Sequence, residues 1–292
     1  MAVITAGLAT SHVPAIGAAI DNGQRGLDRW EYVFGGYRWT QEWARVHRPD
    51  VVIMVGNDHG NALPPSVVPT LAIAVGETFR PADEGAGPRP VPDVPGHPAL
   101  ARHLVAELLA GPDPLTPCVL HDFRADHGWT VPLSLVHGHG DEESQSSFAR
   151  WPVPVVPVII NVSHHPTASA ALCWRLGQAI RRAVTDWRDD LGVQVWSVGG
   201  MSHQLAGGRA GWINRRFDAA FLDLLVTDPA RLIEIPEMEY VRLAGHDGVE
   251  LVTWLIMRAA MGRDVRVLHR HHPDRPVSNT ALGHLVLVPA AP

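Results

Sequence analysis

Lysine is absent from the 292 residues, so all 24 basic side chains are arginine. That excludes a phosphate-binding loop with its lysine, a Schiff-base lysine and a serine–lysine dyad. Cysteine is scarce: Cys118 and Cys173 are the two present, too few for a disulfide framework or a four-thiolate zinc site. A reducing cytoplasm is the expected compartment. Long apolar runs are missing as well, none approaching the ~18 residues of a spanning helix. The opening MAVITAGLATSH lacks a basic leader and reads as a first strand. Positive charge is not in excess, with 24 basic against 30 acidic residues and a formal charge of −6. No nucleic-acid partner is expected from such a balance, and no membrane partner from a chain without a spanning run. Histidine is the abundant exception, at 17 residues, and imidazole is therefore the main acid, base or metal ligand on offer near neutral pH.

Apolar residues make up 46% of the chain, enough for a substantial core. Short apolar runs bounded by polar or glycine residues predict strands buried on both faces at 2–9, 51–55, 67–75, 153–160, 193–198 and 284–288. Helical spacing recurs between them, at Leu100, Leu104 and Leu108, at Leu172, Leu176, Ile180 and Val184, and at Ile213, Phe217 and Phe221. The alternation predicts a single α/β/α layered domain over 1–292 with a mostly buried central sheet. The Pro- and Gly-rich stretch 77–98 is too long for an ordinary connection and reads as an ordered functional loop. The polar stretch 137–150 reads as a mobile surface excursion.

His12 and His59 each directly follow a predicted strand, where the carboxyl edge of an α/β sheet builds its sites. A shared metal is one reading, and loop histidines bonded to backbone are the other. Glu250 is the one acid in an otherwise apolar segment before Asp264, and a buried carboxylate is costly unless paired or metal-bound. The spacing Asp247–Glu250 also fits a helix capping box, the role that local pattern favours. Gly199-Gly200 present His203 at another strand end, as an acid–base group or a solvated turn residue. His127 is a weaker instance, with Asp126 beside it. His164-His165 and the cluster His269, His271 and His272 read as surface loops, because composition alone is a weak sign of metal binding.

The stretches SHVPAIGAAI, VGNDHGNALP, ETFRPADEGAGPRPVPDVPGHP, DHGWTVPLS, VGGMSHQLAGGRAGWIN, GVELVTWLIMR and SNTALG occur in order from residue 11 to residue 283. In these the chain resembles the type II (class III) extradiol ring-cleavage dioxygenases, the family that includes the catalytic β subunit of protocatechuate 4,5-dioxygenase. The resemblance implies that His12, His59 and Glu250 hold a non-haem Fe(II) as a facial triad, a set that leaves positions for a catechol and O2. It implies that His203 is the acid–base residue, that His127 is a further active-site histidine, and that Ser278 and Asn279 line the pocket of the aromatic substrate. Asn57 and Asp58 are expected to orient ligands from behind.

The implied reaction opens a dihydroxybenzoate beside its diol to a muconic semialdehyde. Val13, where relatives can carry a polar residue, leaves gallate, a methylated gallate or another catechol acid open as substrate. The small α subunit that covers the site in protocatechuate enzymes is not seen in the sequence, so either a separate small partner or a homo-oligomer is expected. Spacing alone does not separate Fe(II) from the zinc of a hydrolase, and a non-catalytic binding protein of the same fold is a third reading. A cation meeting the substrate carboxylate has to be arginine; otherwise hydroxyl and amide donors such as Ser278 and Asn279 hold it.

Overall fold

The computed structural model describes residues 1–64, 66–140 and 149–290. Its frame is an eight-stranded sheet built from β1 (Val3–Thr10), β2 (Val51–Gly56), β3 (Leu71–Ala74), β6 (Cys118–Leu120), β8 (Val155–Ile160), β9 (Gly192–Val198), β10 (Val265–His271) and β11 (His284–Pro289). The strand order is β10-β11-β1-β9-β2-β8-β3-β6. Short strands β4 (Thr78–Pro81), β5 (Val94–Pro95) and β7 (Arg124–Ala125) form a small separate sheet.

The runs predicted as doubly buried strands are that because successive side chains enter opposite cores. In β2, Val51, Ile53 and Val55 face one apolar cluster, whereas Val52 and Met54 face the other. Strand β8 divides the same way, with Val156, Val158 and Ile160 against Val155 and Ile159. Helices Pro98–Ala110, Ala170–Thr185, Arg215–Thr227 and Trp254–Ala260 cover the first face through Leu104, Leu176, Phe221 and Leu255, among others. Helix His127–His137 covers the second through Trp129, Leu133 and Val136. Truncating a fully buried leucine such as Leu104 costs about 2–5 kcal/mol in such a core. Side chains start these helices: Ser169 accepts from Leu172 N–H, Asn214 from Phe217 N–H and Asp126 from Gly128 N–H.

Three expectations change. The strand expected over 67–75 begins only at Leu71, because Pro69 has no N–H for the ladder and Val67 and Val68 are exposed. His269 and His271 are not in a surface loop but in β10, the sheet's edge strand, with their Nε2 atoms bonded to the carbonyls of Gly36 and Tyr32. The neighbouring His272 bonds the Leu282 carbonyl. The stretch 77–98 holds β4 and β5 as well as irregular backbone. Of the stretch 137–150, residues 141–148 lie outside the described residues.

Candidate active site

Strands β1, β9, β2 and β8 are mutually parallel, so their carboxyl ends lie on one edge of the sheet. The loops leaving Thr10, Val198 and Gly56 carry His12, His203 and His59 to that edge. His12 is held by its neighbour, since Ser11 donates its N–H to the Gly283 carbonyl and its Oγ accepts from Gly283 N–H. His59 lies in a turn organised by Asp58, whose carboxylate accepts the N–H groups of Asn61, Ala62 and Leu63.

The partner that aims the His59 ring is Asp126. Its Oδ2 accepts from His59 N–H at 3.3 Å and from Nδ1 at 3.1 Å. Asp126 thus serves His59 rather than its neighbour His127. Asp58 makes the turn instead of gripping a ring, and Asn57 donates to Ser163 Oγ at 2.6 Å. Of the two residues expected to orient ligands, Asp58 acts through the turn that carries His59 and neither bonds a ligand ring. Gly128 is required beside this pair, because a Cβ there would lie 2.8 Å from His59 Cε1.

His127 is the first residue of its helix and bonds Glu84, its N–H to Oε2 at 2.8 Å and its Nδ1 to Oε1 at 2.5 Å. His203 donates Nδ1–H to the Met201 carbonyl at 2.8 Å, which leaves Nε2 as the ring atom turned toward the site. Its backbone is clamped to Ala244 and Gly248. At Gly200 a Cβ would lie 2.7 Å from Thr280 and 2.8 Å from the His203 ring, so a bare backbone is needed for the turn to close.

Glu250 lies in a 3₁₀ turn, Asp247–Thr253, that makes no side-chain cap. The capping-box reading fails because Asp247 accepts from Leu205 N–H, while Glu250 points into the site. Its Oε1 accepts from Gly200 N–H at 3.0 Å and lies 3.3 Å from His203 Nε2, and its Oε2 lies 3.3 Å from His12 Nε2.

One nitrogen each from His12, His59 and His127 falls within a 4.8 Å group, with ring centroids of His59 and His127 4.2 Å apart. The carboxylates set the electrostatics. Burial opposes charge on His59, yet Asp126, Glu250 and Glu84 outweigh it and raise its pKa to about 9. Burial opposes charge on Asp126 too, but His59 holds it down at about 2. Burial lowers the pKa of His12, and Glu250 is lowered against burial by His12 and His203. The His12 and His59 rings, the Glu250 carboxylate and a field that attracts positive charge form a donor set that fits a divalent cation. His12 Nδ1, buried with no partner among the described residues, leaves that ring unclaimed by the protein on one side.

These groups line a cavity of about 340 Å³. Val13, Pro14 and Ala15 give it an apolar wall, and Ser163, Ser278 and Thr280 supply hydroxyls. No arginine lines it among the described residues. Ser278 and Asn279 occupy a tight turn with φ of 47° and 63°, closed by paired hydrogen bonds between Val277 and Thr280. Left-handed backbone at two non-glycine residues costs energy and is found where a site demands it. Asn279 itself is not a lining residue. No local pattern marks Asp126 as the partner of His59 or Glu84 as the partner of His127.

Residues 6–283 match the family described as the catalytic LigB subunit of aromatic ring-opening dioxygenase. The chain belongs to that family. A gallate dioxygenase from Pseudomonas putida KT2440 is 41% identical over 191 residues, which cover 65% of this chain and 53% of that protein. The chain therefore spans about half the length of this relative. A 2,3-dihydroxyphenylpropionate/2,3-dihydroxicinnamic acid 1,2-dioxygenase from Azotobacter vinelandii is 29% identical, covering 82% of this chain and 85% of its own. The crystal structure of an uncharacterized protein, JW3007, from Escherichia coli K12 shares the fold, with a TM-score of 0.52 at 15% identity over 97% of this chain and 99% of that one. No helix among the described residues is long and apolar enough to cross a membrane.

Proposed function

We propose that this protein is a non-haem Fe(II)-dependent extradiol dioxygenase acting on a catechol acid of the gallate or protocatechuate class. The observation that carries the proposal is the meeting of His12, His59 and Glu250 at one sheet edge, with Nε2 of His203 3.3 Å from the same carboxylate. Two imidazoles, His59 giving up its proton to the incoming cation, and one carboxylate suit Fe(II) and, when it is bound, leave open positions for a catechol and O2.

The protein's own groups then have distinct tasks. His203, with Nδ1–H committed to the Met201 carbonyl, accepts a catechol hydroxyl proton at Nε2 and returns it later in the reaction. Glu250 is kept aimed by Gly200 N–H. The apolar wall at Val13, Pro14 and Ala15 packs against the aromatic ring and keeps water from it. With no arginine among the described lining residues, the substrate carboxylate is met by the hydroxyls of Ser278 and Thr280. Both atoms of O2 enter the ring beside the diol, giving a ring-opened muconic semialdehyde-type product. We place the enzyme in the cytoplasm, its site mouth covered by a small partner subunit or a second copy.

An oxygen-uptake panel with protocatechuate, gallate and their methyl ethers tests this. Anaerobically Fe(II)-loaded protein should consume O2 with at least one of them and produce a yellow ring-opened product, whereas zinc-loaded protein should not. Hydrolysis of an ester or amide without oxygen uptake would overturn the proposal.

A further inference from the structure

The geometry points to Glu84 as a positioning residue that acts through His127. Glu84 comes from the proline- and glycine-rich stretch between β4 and β5, and nothing in the sequence marks it apart from other loop acids. Strand pairing puts it in place. Arg80 and Pro81 of β4 pair with Arg124 and Ala125 of β7, and Ala82 N–H donates to the Ala125 carbonyl. The residues that follow on each side, Glu84 and His127, are therefore brought face to face.

The loop is fixed on both sides of Glu84. Asp83 accepts the N–H groups of Gly85 and Gly87, both at 2.9 Å, and Arg89 makes a two-pronged pair with Asp21 at 2.8 and 2.7 Å. Glu84 then takes both donors of His127, backbone N–H and Nδ1. A carboxylate can only accept, so Nδ1 must carry a proton and Nε2 of the neutral ring must be bare. That bare nitrogen belongs to a cavity-lining ring whose centroid is 4.2 Å from that of His59 and 5.4 Å from that of His12. Glu84 thereby determines both the tautomer and the angle at which His127 meets a substrate hydroxyl.

The catalytic consequence rests on the cavity being the catechol site proposed above, whereas the tautomer does not depend on it. In metal-free, ¹⁵N-histidine-labelled protein in mildly alkaline buffer, His127 is identified by its loss in His127→Phe. Its Nδ1–H tautomer should dominate in the wild type and give way to a mixture in Glu84→Ala. In the Fe(II)-loaded enzyme, Glu84→Ala should lower kcat by about 10- to 100-fold, the range for lost outer-shell partners, with KM little changed. Glu84→Gln, which keeps one acceptor oxygen, should recover part of the loss. In a His127→Phe background Glu84→Ala should add less than about twofold, because residues acting as a unit are not additive. An unchanged tautomer in Glu84→Ala, or the same fold-loss with and without His127, would overturn the assignment. If the wild type opens no catechol ring, the functional proposal fails, and the tautomer measurement still decides the role of Glu84.

Discussion

Asp126 is bound to His59 twice, at the backbone N–H and at Nδ1, and the same carboxylate caps the helix that begins at His127 through Gly128 N–H at 2.8 Å. One side chain thus sets the angle of a proposed metal ligand and the start of the helix bearing His127, which lines the same cavity. Helix starts left uncapped lose roughly 0.5–2 kcal/mol, and ligands without their outer-shell carboxylate lose about 10- to 100-fold in metal affinity. Asp126→Asn separates the two effects, because asparagine caps as well as aspartate does. The variant should keep the helix start, lose stability only through the His59 contacts, and bind Fe(II) about 10- to 100-fold more weakly, as read from iron stoichiometry against a competing chelator. Undiminished iron binding would remove Asp126 from the metal's support.

A second carboxylate supports His203 from below. Asp218 is fully buried and accepts Ser202 N–H at 2.9 Å and Ser202 Oγ–H at 2.6 Å, one residue before His203. Burial raises its pKa, and the Ser202 donors oppose that rise. Asp218→Ala strands two buried donors, at about 1–3 kcal/mol each, and loosens the turn that aims Nε2 of His203. Both the melting temperature and kcat should fall, with KM much less affected. A variant that loses stability but keeps kcat would confine Asp218 to folding.

The strand-end histidines were readable in the sequence because position relative to a buried strand is a local property. His12, His59 and His203 each follow an apolar run within a few residues. Their supporting carboxylates were not readable: Asp126 reaches His59 across 67 positions and Glu84 reaches His127 across 43, and no periodicity encodes such pairs. Glu250 was misread locally for a related reason. Its spacing from Asp247 fits a cap, but tertiary structure gives Asp247 to Leu205 and Glu250 to Gly200. Strand β10 escaped notice because its three valine and leucine residues are mixed with arginine and histidine without a period of two, a composition an edge strand tolerates since it has solvent on one side.

The turn at Ser278 and Asn279 yields a prediction that divides two neighbours treated alike by the sequence. Ser278 lines the cavity, whereas the Asn279 side chain is not part of its wall. Ser278→Ala should raise KM for the catechol acid severalfold without changing iron content. Asn279→Gly should leave KM unchanged and raise stability by up to about 1 kcal/mol, since glycine adopts left-handed backbone without the Cβ clash. A KM rise in Asn279→Gly matching that of Ser278→Ala would put both side chains on the substrate.

The buried ring of His284 governs part of the acid stability. It is fully buried between β1 and the helix Arg38–Val46, with Nδ1 3.2 Å from the Ala9 carbonyl and Nε2 2.7 Å from Thr40 Oγ1. Burial lowers its pKa from 6.5 to about 3. Between those values the unfolded chain holds a proton that the folded chain does not, so stability rises with pH across the window. The contribution is complete above pH 6.5 and is lost as pH falls toward 3. At pH 5.5, one unit below the unfolded value, the loss is about 1.4 kcal/mol for this group. His137, lowered to about 3 by burial and Arg48, adds a like amount in wild type and variant alike. Denaturant unfolding of metal-free protein at pH 7.5 and 5.5 should therefore show a smaller stability loss in His284→Gln than in the wild type, by about 1.4 kcal/mol. Equal losses would mean that the ring is already protonated in the folded state, with the Ala9 carbonyl and Thr40 hydroxyl both accepting from it.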